Sequence, residues 1–177
     1  MIRKILTYYA GRLDEYLGRT HRQPEGVATV GLIGTAAEET PNKLVVSLVN
    51  LEKEATGDSV YMRSTSGNYA GTLAPLLLNM HIMLAAVYES KRYAESLSVL
   101  SDTLEFIQSM PRFETEGHRY TVELVPMSTM DLHNIWTTMG GQYHPSVICK
   151  VRGLVIDSGT LVSGSTAAQG NEVSVQQ

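Results

Sequence analysis

The chain has few of the residues on which many protein functions depend. One cysteine, Cys149, occurs among 177 residues, which excludes an intrachain disulfide and is typical of a protein kept in a reducing compartment. Charged residues make up 18% of the chain, and the formal net charge is −4. Nucleic-acid-binding domains usually carry a basic balance or stripe, so this composition argues against a nucleic-acid partner. A surface with so few charged residues is tolerable if partner proteins cover much of it.

Long hydrophobic runs are also missing. The most apolar stretch, residues 73–87, is interrupted by Asn79 and His81 and is shorter than the roughly 20 residues that a membrane helix needs. We therefore expect no membrane segment and a chain made and kept in the cytoplasm. Hydrophobic residues still make up 43% of the sequence, enough for one globular core in a chain of this length.

Groupings that would support catalysis are absent as well. The glycines Gly31 and Gly34 follow a strand but lead to Glu38 and Glu39, which have the wrong sign for a phosphate loop. No Gly-x-Ser-x-Gly elbow occurs. Cys149 lies in a strand, where the adjacent Lys150 should point to the opposite face, so a buried, inert thiol is expected.

The histidines do not form a metal-binding pattern. They fall in five separate segments, without H-x-x-x-H or Cys/His ligand spacing: His21, His81, His118, His133 and His144. We predict no catalytic residue, no metal and no cofactor. A small enzyme or ligand-binding domain that uses the region of His133 and His144 stays open as an alternative.

Apolar periodicity predicts the element order α-β-β-β-α-β-α-β. Helical spacing predicts a helix over residues 2–18, with Gly18 as its C-cap. A second helix is expected from an N-cap at Ser90 to a stop at Pro111. The apolar stripe predicted for this second helix consists of Tyr93, Leu97, Leu100, Leu104 and Ile107. Alternating patterns predict strands over residues 27–33, 43–52, 73–87, 120–127 and 147–157.

The third predicted helix is short. Ser128 and Asp131 have capping-box spacing, with Asp in place of the usual Glu. The buried face predicted for this helix consists of Leu132, Ile135, Trp136 and Met139. The helix should end at Gly140, before a Tyr-x-Pro-Ser turn that leads into the last strand.

These elements predict an α+β fold, in which a mixed β-sheet is packed with helices mostly on one face. Residues 1–157 should form this domain, and the small, polar residues 158–177 should form an extended or flexible C-terminal arm. Residues 55–72, which are rich in Gly, Ser and Thr, are expected to form a flexible surface excursion.

Several residues are predicted to mediate protein interactions. Lys150 and Arg152 should share one face of the last strand, with Ile148 and Leu154 beside them. Such charges either pair with acids or form a docking face for a partner. The other predicted interaction residues are Tyr143, His144, Asn171, Val173 and Val175. The last three lie in the arm, which could add as a strand to an exposed sheet edge, the alternative being terminal disorder.

A set of motifs resembles one known family. They comprise residues 42–50 with Glu52, 78–80, 93–97, 100–101, 106–108 and 121–124, then Asn134, Trp136, Gly140, Tyr143, 145–147 and 150–152. Over about residues 1–157 the chain resembles the cap, or tail-terminator, proteins of extracellular phage-tail-like contractile injection systems of the antifeeding-prophage and virulence-cassette type.

The resemblance implies a structural protein and not an enzyme. Such proteins form a ring, expected to be sixfold, on the distal end of the inner tube and sheath, and they stop polymerisation. The implied partners are other copies of the chain, the sheath protein and the tube protein, with no nucleic acid and no membrane. The particle would assemble in the cytoplasm and then be released or retained. A tube or baseplate adaptor of the same particle is a further alternative.

Overall fold

A computed structural model of the protein describes residues 1–22, 26–33, 40–54, 61–65, 68–72, 75–140, 142–158 and 161–165. The helices are α1 (Ile2–Thr20), α2 (Tyr93–Ser109) and α3 (Thr129–Thr138), with a 3-10 turn at Ser90–Arg92. The strands are β1 (Ala28–Val30), β2 (Lys43–Lys53), β3 (Tyr61–Thr65), β4 (Asn68–Thr72), β5 (Leu76–Val87), β6 (Arg112–Thr115), β7 (His118–Leu124), β8 (Ser146–Ile156) and β9 (Leu161–Ser165).

The chain divides into two compact units. The larger combines Met1–Lys53 with Leu78–Leu154, and the smaller combines Glu54–Leu77 with Val155–Gln177. The larger unit is built on a six-stranded sheet in the order β1-β2-β5-β8-β7-β6. Strand β1 is parallel to β2, whereas β2 is antiparallel to β5 and β7 is antiparallel to both β6 and β8. The predicted mixed sheet of an α+β fold is therefore confirmed.

The main core lies between the sheet and helices α1 and α2. Leu44 and Val46 of β2 point into it, together with Met80, Ile82 and Leu84 of β5. The helical side contributes Ile5, Leu6, Tyr9, Leu13 and Leu17 of α1 and Val99, Phe106 and Ile107 of α2. The helix predicted over residues 2–18 is confirmed, but Gly18 is not its C-cap, because α1 continues to Thr20.

Helix α3 covers the opposite face of the same sheet. Val45, the residue between Leu44 and Val46, packs there with Met83 and Trp136. Strand β2 is thus covered on both sides, as is usual for a strand with apolar residues on both faces. Two of the three helices lie on one face, which agrees with the predicted layering. The predicted cap of α3 is also present, since Ser128 Oγ accepts a hydrogen bond from the Asp131 backbone N–H over 3.1 Å.

Helix α2 differs from its prediction in both its start and its buried face. Ser90 opens the 3-10 turn and does not cap the helix, which begins at Tyr93 without a side-chain cap bond. The buried positions of α2 are Ser96, Val99, Thr103, Phe106 and Ile107. Of the predicted stripe only Ile107 is buried; Leu100 is half-buried, and Tyr93, Leu97 and Leu104 are exposed.

Two small hydroxyl side chains explain this rotation of α2. Ser96 Oγ donates to the Tyr93 carbonyl and Thr103 Oγ1 donates to the Val99 carbonyl, each over 2.7 Å. Because these hydroxyls are satisfied within their own helix, they can be buried against the sheet at little cost. A prediction that considers only apolar residues would place the helix face that carries Ser96 and Thr103 on the solvent side.

A hairpin was not predicted in the segment after α2. Strands β6 and β7 pair through a tight turn at Glu116 and Gly117, whose φ values are 51° and 76°. Two consecutive positive φ angles are the mark of a type I′ hairpin turn. The strand predicted over residues 120–127 is therefore β7, which begins earlier and ends at Leu124.

The smaller unit contains a three-stranded antiparallel sheet in the order β3-β4-β9. The expectation of a flexible excursion over residues 55–72 is wrong at 61–65 and 68–72, because these segments pair as β3 and β4. Strand β9, beyond the last predicted strand, was also not foreseen. Asn68 of β4 pairs with Ser165 of β9, so the partner lies almost a hundred residues away. The local sequence pattern carries little information about pairing between strands that lie so far apart in the chain.

Candidate interaction site

The predicted interaction residue Lys150 lies in a compact ion group on the α3 face of the sheet. Its Nζ is 2.6 Å from Oε2 of Glu52, and His81 Nε2 is 3.3 Å from the same oxygen. The three residues come from the adjacent strands β8, β2 and β5. The Lys150 hydrogen bond and charge, followed by His81 and Arg152, hold the pKa of the Glu52 carboxyl below its usual value.

Arg152 has an acidic partner as well. Its Nε donates to Glu123 Oε2 over 3.0 Å, across the antiparallel pair of β8 and β7. Both cations that were predicted as a docking face therefore pair with carboxylates inside the subunit. This is the alternative that the sequence left open for them, and their part in binding a partner stays a prediction.

Leu154 does not lie beside these cations. It is fully buried with Cys149 and Val151 on the side of α1 and α2. The strand alternation slips by one residue at Gly153, whose φ is +101°. A Cβ at that position would lie 2.6 Å from the Arg119 carbonyl oxygen, so the close approach of the two backbones requires glycine.

The predicted residues Tyr143 and His144 lie in the turn before β8 and pack against α3. Their ring centroids are 5.8 Å and 5.9 Å from that of Trp136. Trp136 is 4% exposed, as predicted for a core residue, whereas Tyr143 is 58% exposed. Burial lowers the pKa of His144, which favours the neutral ring at neutral pH. His133, its suggested partner in a ligand site, is exposed on α3.

A cleft of about 480 Å³ opens beside this turn. It is lined by aromatic and polar side chains, among them Tyr88, Glu89, Tyr93, Tyr143 and His144. Within the described ranges, no group of three or more His, Cys, Asp or Glu residues could hold a metal ion. Over the same part of the chain, no helix is long and apolar enough to cross a membrane.

A second depression is apolar and was not foreseen from the sequence. This groove, here called the α3 groove, has a volume of about 220 Å³ between β2 and α3. Its lining consists of Leu48, Val49, Asn134, Ile135, Thr138 and Met139. Leu48 is two residues after Val46, so regular strand alternation would place it on the other face of the sheet. The pairing register of β2 with β5 shifts between Leu48 and Asn50, and the groove forms at this irregularity.

The predicted arm residues Asn171, Val173 and Val175 lie outside the described residues. The doubly covered mixed sheet and its three helices define an α+β protein. The chain belongs to the Pvc16 N-terminal domain family, whose model matches residues 7–168. No curated protein sequence matches the chain.

The similar solved structures include two terminating proteins. One is the PVC sheath/tube terminator in the extended state, from the cryo-EM structure of an extracellular contractile injection system; identity is 13% and the TM-score is 0.50. The match covers 94% of this chain and 61% of that chain, so this protein spans under two thirds of the terminator's length. The other is the anti-feeding prophage cap, at 14% identity and a TM-score of 0.42, covering 93% and 58% of the two chains. The likeness to the terminator concerns the fold.

Proposed function

We propose that this protein is a structural cap of a contractile injection particle. It would form a ring, expected to be sixfold, at the distal end of the inner tube and sheath, and so stop their polymerisation. The observation that carries the proposal is the family match over residues 7–168, supported by a terminator-like fold over 94% of the chain. Its partners would be other copies of itself and the sheath and tube proteins.

The sheet of the larger unit suits such a role. A helical polymer is built by a contact that does not close into a ring, so the last layer of subunits always presents unpaired surfaces. A protein that ends the polymer must bind those surfaces without offering a new edge. Strand β1 at one side of the sheet has three residues and β6 at the other has four. Short edge strands discourage further strand pairing.

A non-enzymatic role follows from the same proposal. The alternative of a ligand-binding domain around His133 and His144 has weaker support, because His144 packs against Trp136 and His133 is exposed on α3. Assembly would take place in the cytoplasm, after which the cap becomes part of the particle.

The test is the length distribution of the particles. Cells that produce the particle but lack this chain should yield tubes and sheaths of irregular length or low stability, measured by negative-stain electron microscopy. Supplying the chain from a plasmid should restore uniform particles. Particles of normal, uniform length without the chain would contradict the cap. Density for the chain at the baseplate end would indicate the adaptor instead.

A further inference from the structure

The cleft beside the turn before β8 has the properties of a preformed binding site. Its volume is about 480 Å³, and its lining comes from the end of β5, the start of α2 and the turn at residues 142–145. The Ala86 backbone N–H donates to the Pro145 carbonyl over 2.9 Å, which ties the turn to β5. The Glu89 backbone N–H donates to Asn42 Oδ1 over 2.9 Å, which fixes the segment after β5. A cleft of this volume, held on both sides by hydrogen bonds, is of the size that small ligands occupy.

Three tyrosines line this cleft: Tyr88, Tyr93 and Tyr143. Tyr93 and Tyr143 are 54% and 58% exposed, so two phenol rings are accessible to a ligand. Tyr88 shows which chemistry suits these rings, because the guanidinium carbon of Arg92 lies 5.2 Å from its ring centroid. The negative face of an aromatic ring attracts such a cation. The aromatic lining thus already accommodates one guanidinium group of the protein itself.

The charge of the cleft is negative. Among the described residues that line it, Glu89 is the only one that is charged at neutral pH, because burial lowers the pKa of His144 and favours its neutral ring. The Lys91 hydrogen bond and charge, with a smaller contribution from Asn42, lower the pKa of the Glu89 carboxyl. Arg92 is paired with Glu95 through two hydrogen bonds, which offset its charge. A carboxylate beside accessible aromatic rings is a site for an organic cation.

The lysine that pairs with Glu89 in the free protein is replaceable. Lys91 Nζ is 2.6 Å from Glu89 Oε2, and the Lys91 side chain is 77% exposed. Such surface ion pairs contribute little, so a cation that also contacts the tyrosines can displace the lysine. A guanidinium suits the site better than an ammonium, because it is planar, stacks on aromatic rings and donates two parallel hydrogen bonds to a carboxylate.

We propose that this cleft binds a guanidinium group, with Glu89 accepting its hydrogen bonds and Tyr93 and Tyr143 packing against it. Two sources carry this chemistry, an arginine side chain of a partner protein and a free guanidinium compound. Binding is a property of the isolated subunit and does not depend on the proposed cap.

A titration of the full chain followed by two-dimensional NMR tests the site. The probe is Nα-acetyl-arginine amide, which should cause saturable shifts at the amides of residues 89–93 and 142–144, with an affinity in the millimolar range. The neutral isostere Nα-acetyl-citrulline amide should cause none, and Nα-acetyl-lysine amide should bind several times more weakly. Equal binding of the citrulline compound, or shifts scattered over the whole surface, would overturn the proposal.

Variants identify the groups that bind the probe. Glu89→Gln keeps the shape of the side chain and should weaken binding about tenfold, because a hydrogen-bonded charge is lost. The matched control is Glu116→Gln, since Glu116 also pairs with a lysine, Lys4, over 2.5 Å but does not line the cleft. This control should bind like the unaltered chain.

Removing the competing lysine should have the opposite effect. Lys91→Ala should strengthen binding about two- to fivefold, because Glu89 is then free for the probe. These variants change surface side chains, so each should keep the thermal unfolding midpoint of the unaltered chain. Unchanged affinity in Glu89→Gln, or weaker binding in Lys91→Ala, would overturn the proposal.

A photo-cross-linker distinguishes the two sources. In cells that produce the particle, Gln142→p-benzoylphenylalanine places the reagent at the cleft. Joined peptides that contain an arginine at the cross-link identify a partner side chain, whereas a guanidinium compound released on denaturing the purified chain identifies a free ligand. A joined partner segment without arginine would overturn the proposal. If the chain binds the arginine probe but particles without the chain keep their uniform length, the cap is wrong and the cation site stands.

Discussion

The indole N–H of Trp136 donates a hydrogen bond to Ser146 Oγ over 3.3 Å, which joins α3 to the first residue of β8. The ring also contacts Tyr143 and His144 in the turn between these elements. One side chain thereby fixes the helix, the turn and the strand on the face of the sheet that carries the α3 groove. The contribution of this arrangement to the free energy of unfolding can be measured directly.

Replacing Trp136 by Ala should lower the free energy of unfolding by about 3–5 kcal/mol, because a large buried ring is replaced by a cavity. Trp136→Phe retains most of the packing but loses the N–H donor, so its cost should be clearly smaller. Urea denaturation followed by circular dichroism gives both values; fluorescence is unsuitable because Trp136 is the only tryptophan. Equal costs for the two variants would show that packing of the ring is not the dominant contribution.

Gly153 should tolerate a side chain less well than Gly117. Both have positive φ, and placing alanine there costs about 1–2 kcal/mol for conformation alone. Open space surrounds a Cβ at Gly117, whereas at Gly153 it would meet the Arg119 carbonyl oxygen at 2.6 Å. Gly153→Ala should therefore cost at least about 1 kcal/mol more than Gly117→Ala by thermal or chemical denaturation. Equal costs would mean that β7 and β8 separate easily at this point.

The sequence predicts the elements whose side-chain pattern agrees with their burial. Helix α1, strand β2 and the capped helix α3 are of this kind, and each is close to its predicted bounds. Helix α2 is not, because Ser96 and Thr103 are buried after bonding to their own backbone while Leu97 and Leu104 are exposed. An exposed apolar stripe and a core stripe have the same period, so pattern alone cannot distinguish them.

The site is harder to predict for a related reason. Lys150 and Arg152 were identified, but their partners Glu52 and Glu123 come from other strands, and only the sheet order brings them together. The α3 groove depends on a register shift in β2 beside a helix some eighty residues later. The slip at Gly153 moves Leu154 to the opposite face, and its only sequence signal is a glycine inside a strand.

Stability should depend on pH through Glu52. Its folded pKa is lowered, mainly by the Lys150 hydrogen bond, so the unfolded chain binds more protons as the pH falls below the ordinary value of 4.5. The stabilising contribution is present above that pH and is lost as the pH falls through the folded pKa. Glu52→Gln should reduce this acid dependence, measured by urea denaturation between neutral and acidic pH. Lys150→Gln should reduce it similarly, and the double variant should add little. Independent, additive effects would show that the pair is not coupled.

The thiol of Cys149 should be unreactive in the folded protein. It is fully buried in the main core, and burial raises its pKa to about 12. Since the thiolate is the reactive form, a colorimetric thiol reagent at pH 8 should modify the native chain only as fast as it unfolds. In concentrated denaturant the same thiol should react at once. Rapid reaction under native conditions would indicate local opening of β8.

Truncation after Ser165 tests the part of the predicted C-terminal arm that follows β9. It removes residues 166–177 with the predicted contact residues Asn171, Val173 and Val175, while β9 keeps its pairing with β4. The shortened chain should keep its circular dichroism spectrum and unfolding midpoint but cap poorly, giving particles of uneven length by electron microscopy. Truncation after Asp157 also removes β9, so it should reduce the strand content of the smaller unit.

A proline at the arm tests how the arm would bind. Strand addition relies on backbone hydrogen bonds, so Val173→Pro, which removes a backbone N–H and restricts φ, should reproduce the capping defect of the truncated chain. Val173→Thr keeps the N–H and the β-branched shape and should cap normally. If both variants and the truncated chain produce particles of uniform length, the arm contributes nothing to capping. If all three fail alike, the arm binds through its side chains and not as an added strand.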